Sequence, residues 1–70
     1  MPSDYANESR FLDQLMRRLG GLLRGHYSFA QVEDWLRATR VAGEPLAPRR
    51  IGDLRAAAGL FVSALRKDKP

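Results

Sequence analysis

Along the first third of the chain, large apolar residues return at intervals of three, four and seven: Tyr5, Leu12, Leu15, Met16, Leu19, Leu22 and Leu23, with Phe11 at the edge of the set. Such spacing gathers them on one stripe of a helix. The pattern predicts a first helix over 4–24. Ser3 stands where a cap is wanted, and Asp4 and Glu8 place negative charge near the positive end of the dipole. Glu8 falls within the apolar stripe and reads as a dipole stabiliser or an arginine partner rather than a tuned acid. Each glycine of Gly20-Gly21 weakens a helix by about 1 kcal/mol relative to alanine, so the pair marks a close approach of another backbone or a bend. Gly25 suits the left-handed residue that closes a helix.

A second helix is predicted over 29–41. Ser28 and Gln31 make a capping box, and Tyr27 and Val32 flank it as a hydrophobic staple. Phe29, Val32 and Leu36 share one face with Trp35 on its flank, and Glu33 can pair with Arg37 one turn on. Gly43 and Pro45 read as the stop. Glu44-Pro45-Leu46-Ala47-Pro48 reads as a stiff extended connector, because the residue before each proline is steered away from helix. Pro48 fits the first position of a third helix over 48–66, whose stripe is Ile51, Leu54, Ala58, Phe61, Val62 and Leu65. No segment alternates with the period of a strand, and nothing repeats. The expected fold is all-α: a three-helix bundle, or a helical hairpin plus a third helix, in one domain over 1–70 with 67–70 frayed.

The third helix has a second pattern. Gly52, Ala56, Gly59 and Ser63 are spaced four, three and four apart and form a stripe of small residues roughly opposite the apolar one. Leu60 lies on the same outer half, and between Arg55 and Arg66 there is no charge. Small side chains let another helix approach closely, so this face is a candidate for self-association or partner packing.

Size strengthens that expectation. A chain of 70 residues builds a small core, and chains of this length are commonly reinforced by disulfides, metal or association. With no cysteine and one histidine, association remains. The lack of cysteine and of a signal-like start points to the cytoplasm, and the longest uncharged run, ten residues from Ala56, is too short for a membrane span.

Ten arginines and two lysines against eight acids give a net charge of +4. Arg10, Arg17 and Arg24 recur every seven residues on the polar side of the first helix, with Arg18 beside them. They read as a solvated face or as a contact for phosphate or an acidic protein surface. Arg49, Arg50 and Arg55 open the third helix, where a helix-turn-helix protein would place base-reading residues. Against that, the connector from Gly43 to Ala47 exceeds the usual turn, and Asp53 interrupts the arginines. A membrane-surface role for the first helix is weaker, since its leucines are also what a core needs.

Catalytic chemistry is missing from the pattern. His26 follows a glycine cap without partners spaced for a metal or a triad, and there is no nucleotide-binding glycine loop. No cofactor is expected. Trp35, on the edge of its apolar face, divides evenly between core and partner contact. The chain therefore reads as a small non-enzymatic regulator that binds another protein, an inhibitor or adaptor of the kind phages and mobile elements encode, acting as a homodimer. Its alternatives are a small helical DNA-binding repressor or antitoxin, and a structural subunit of a larger assembly.

Overall fold

In the computed structural model, which describes residues 3–67, three helices make an all-α fold to which three very short strands are added. Helix α1 spans Glu8–Arg24 and is capped by Asn7, whose side-chain oxygen accepts the Arg10 backbone N–H at 3.0 Å. The expected start at Asp4 with Ser3 as cap is corrected: Ser3–Tyr5 is strand β1. An asparagine with extended backbone satisfies an orphan N–H of the first turn, and that sets the boundary. The end matches the expectation. Gly25 adopts φ 80°, its N–H meets the Leu22 carbonyl at 3.2 Å, and His26 N–H meets Gly21 at 2.8 Å. This is the paired closure of a Schellman motif.

Four residues later α2 begins, spanning Phe29–Ala38. Its capping box is complete: Gln31 N–H donates to Ser28 Oγ at 3.2 Å, and Ser28 N–H to Gln31 Oε1 at 2.8 Å. The helix stops three residues short of the expected 41, because Thr39 turns extended (ψ 141°). Buried Thr39 donates its hydroxyl to the Trp35 carbonyl at 2.7 Å.

Thr39–Val41 then forms β2 and Glu44–Pro45 forms β3, joined by a two-residue turn at Ala42-Gly43. Gly43 thus serves a hairpin rather than a helix stop, and the expected plain connector is part strand, followed by a buried Leu46. Both turn residues have positive φ, 53° and 79°, as the commonest tight hairpin turns require. Strand β1 pairs parallel with β2 and β3 antiparallel with it, in the order β1-β2-β3. Strands of two or three residues are too short to show a two-residue period, which is why the pattern hid them.

Helix α3, Pro48–Lys67, begins at the expected proline. It runs parallel to α1: Arg50 pairs with Glu8 near their N-termini, and the Arg66 guanidinium reaches the Leu22 carbonyl at 3.4 Å near their C-termini. Helix α2 packs on α3, tied by Glu33, which bridges Arg37 at 2.7 Å and Arg55 at 3.6 Å.

The core consists of Phe11, Leu15, Leu19, Leu22, Val32, Leu36, Leu46, Ala58 and Val62. Phe11 moves from the edge of its stripe to the centre, fully buried, whereas Leu12 and Met16 are exposed. Tyr5, expected on α1, packs from β1 against Phe11 and Trp35. Apolar residues cover so wide an arc of α1 that two overlapping stripes fit its period, and the positions of α2 and α3 select between them.

Candidate functional site

The small-residue face of α3 is turned outward. Gly52, Ala56, Leu60 and Ser63 are exposed, and Gly59 is half-buried. A methyl group at Gly52 would meet nothing within 4 Å, and one at Gly59 would meet only the tip of Arg55 at 4.0 Å. Internal packing therefore asks for glycine at neither position, although each costs helix stability. Leu60 is 74% exposed, the most exposed large apolar residue among those described. Gly52 also borders an open cleft of about 360 Å³ between α2 and α3, lined further by Glu33, Arg37, Pro48 and Ile51.

Gly21 behaves in the opposite way. It is buried, and the Tyr27 ring lies so close that a Cβ would overlap it. What comes close at Gly21 is the ring of Tyr27 and not the second backbone that the glycine pair was expected to admit.

Trp35 is half-buried in an aromatic cluster, its ring stacked on Phe11 (centroids 5.8 Å) and edge-on to Tyr5 (6.2 Å). The Arg18 guanidinium covers it at 4.2 Å from the ring centroid. Its indole N–H is buried without an acceptor. Packing uses this tryptophan on both sides, so little of it is offered to a partner.

The arginines divide between internal and outward roles. Arg50 pairs with Glu8 and lies over Phe11, and Arg55 pairs with Glu33 and lies over Phe29. Of the three candidates for nucleic-acid contact, only Arg49 is exposed, and Arg50 and Arg55 are half-buried. On α1, Arg10, Arg17 and Arg24 are all exposed, with Arg17 drawn toward Asp13 at 3.7 Å. The hydrogen bond from Arg50 holds the Glu8 carboxyl below its ordinary 4.5, so Glu8 is the arginine partner that the sequence allowed.

The short turn that a helix-turn-helix needs lies between α1 and α2 and not between α2 and α3. The exposed side of α2 nevertheless shows Ala30, Gln31, Asp34 and Ala38 with the single cation Arg37, a poor match to phosphate.

His26 is exposed in the α1–α2 turn. Among the described residues, no group of three or more His, Cys, Asp or Glu could hold a metal ion, and no helix is long and apolar enough to cross a membrane. Sequence reasoning missed the exposure of Leu12 and Met16, which adds an apolar strip along α1 to the one on α3. Compared with known proteins, the chain matches no protein family, and no curated protein or solved structure is significantly similar to it.

Proposed function

We propose that this protein is a small cytoplasmic regulator without enzymatic activity, acting by binding another protein as an inhibitor or adaptor, and that it works as a homodimer. The observation that carries the reading is Leu60, 74% exposed in the middle of an outer α3 face that has no charge from Ala56 to Leu65. A solvated helix face normally carries charge, and two glycines on this one lower helix stability without serving internal packing. Occupation is the mechanism: the face around Gly52, Ala56, Gly59 and Ser63 seats on a partner's groove or helix and covers a surface the partner needs. Arg10, Arg17 and Arg24 lie on the side of α1 turned away from α3, where their charge steers encounter more than it adds affinity.

Nucleic-acid binding is the weaker reading, since Arg50 and Arg55 are engaged by acids of the same chain. The test is capture of partners from bacterial lysate with the tagged chain, alongside Leu60→Asp and a salt-dependent DNA shift assay. A specific protein retained by the native chain and lost with folded Leu60→Asp supports the proposal. The same protein retained by both, or duplex DNA bound in its place, overturns it.

A further inference from the structure

Charge is sorted along the length of the molecule. Because α1 and α3 run parallel, their C-terminal halves lie at one end, together with the turn that leads into α2. The stretches that build this end, 14–32 and 54–67, hold Arg17, Arg18, Arg24, Arg55, Arg66 and Lys67 and not one acid. The stretches 3–13 and 33–53, which carry the sheet and the N-termini of α1 and α3, hold five arginines against seven acids. At the boundary Arg17 is drawn toward Asp13 and Arg55 is engaged by Glu33, while Arg18 covers Trp35. The basic end also carries four of the five exposed large apolar side chains among the described residues: Met16, Tyr27, Leu60 and Leu65.

On the outer face of α3 the sorting becomes local. At about 100° per residue, positions 49, 53 and 67 all fall within about 20° of Leu60 around the helix axis. Arg49 and Asp53 balance each other at the N-terminal end of this line. At its C-terminal end stand Arg66 and Lys67, with no acid from Leu54 through Lys67, and the tail 68–70 adds one charge of each sign. Phosphate would answer the cations and leave the exposed leucine unmatched, whereas an acidic protein segment with a large apolar anchor answers both. A second copy laid along α3 by a twofold axis would oppose like charges and offer Asp53 as the one acid of that helix. We infer that the partner presents an acidic segment with a large apolar anchor, the anchor seated beside Leu60 and the carboxylates at the last turn of α3. The inference rests on the partner-binding reading of this face and adds the chemistry of what binds there.

Selection from a phage-displayed library of random peptides tests this directly. On the native chain the enriched peptides should carry Asp and Glu in excess around a Leu, Phe or Met. Their affinity should fall about fivefold with Arg66→Gln/Lys67→Gln, and by no more than about twofold with Arg10→Gln/Arg17→Gln, an equal loss of charge on the far side of α1. It should also fall as salt rises from about 0.05 to about 0.5 M, a measurement that needs no variant. Enriched peptides that lose binding with Leu60→Asp but are neutral or basic overturn the acidic chemistry and leave the binding function standing. Peptides indifferent to Leu60→Asp, or no enrichment because a second copy covers the face, overturn the partner's use of this face and the inference with it. Equal weakening by the two double variants overturns it as well. So does duplex DNA bound in place of peptide and released by Arg66→Gln/Lys67→Gln.

Discussion

At Gly20 and Gly21 two adjacent glycines carry opposite predictions. Gly20 has open space where a methyl would go, so Gly20→Ala should raise stability by about 1 kcal/mol through helix propensity. A methyl at Gly21 would overlap the Tyr27 ring, so Gly21→Ala should lower stability by about 1 kcal/mol or more, with Tyr27→Ala recovering the loss. Urea melts of the two single variants and of Gly21→Ala/Tyr27→Ala check the difference in sign. Ala42 is the other residue under local constraint, a non-glycine at φ 53° in the hairpin turn. Asparagine tolerates the left-handed region better, so Ala42→Asn should stabilise by up to about 1 kcal/mol in the same assay. The sequence shows the Ser28 box and the Gly25 cap plainly, since both act within four residues. It could not show that Gly21 faces an aromatic ring, because that contact depends on how the chain turns after Gly25.

Helices α1 and α3 run side by side in the same direction, so their dipoles repel and like ends meet. Glu8 opposes the dipole at the N-terminus of α1, and Arg24 and Arg66 oppose it at the C-termini, whereas α3 opens on Arg49 and Arg50 with no acid in its first turn. The Glu8–Arg50 pair joins the helices, and Glu8 offsets the charge that Arg50 adds at their positive ends. Its pH dependence has a definite sign. Hydrogen bonding from Arg50 lowers the folded value for Glu8 below its ordinary 4.5. The stabilisation is then complete above the unfolded value and is lost as pH falls through the folded one. Glu8→Gln should abolish that part of the acid sensitivity below about pH 4.5, read by thermal melts across a pH series, and should matter less in high salt because both side chains are partly exposed. At this scale the sequence was legible in part. Three helices, the Pro48 start and the Glu33–Arg37 pair could be read from spacing, but the ends of α1 and α2 at the sheet could not. There, Ser3–Tyr5 and Thr39–Val41 pair across a separation of some 36 residues, Ser3 opposite Thr39 and Tyr5 opposite Val41. No local propensity records such a pairing.

The molecule is elongated, 43 × 21 × 19 Å, and nine buried apolar residues among those described form its core. A core of this size leaves a lone chain marginal, and the proposed association with a second copy would add stability by mass action. On the proposed homodimer the melting midpoint should rise with protein concentration, whereas that of a monomer would stay fixed. Differential scanning calorimetry over a hundredfold range of concentration would tell the two apart. The outer face of α3 belongs to this scale too, because no contact within the chain requires glycine at Gly52 or Gly59.

Periodicity, caps and prolines, all expressed within a turn or two of helix, determined by themselves that this chain makes three helices, roughly where each begins, and that α3 has an uncharged outer face. Tertiary structure alone decided which of two overlapping stripes on α1 is buried. It set α1 and α3 parallel and turned the end of α2 into a hairpin strand. It also took Trp35, Arg50 and Arg55 into internal contacts while leaving Leu12, Met16 and Leu60 outside. The physical reason is that helical period assigns an angle to each side chain around its own axis, whereas burial depends on where the neighbouring axes lie. Those positions are set by a parallel strand pairing and by ion pairs between residues distant in the chain.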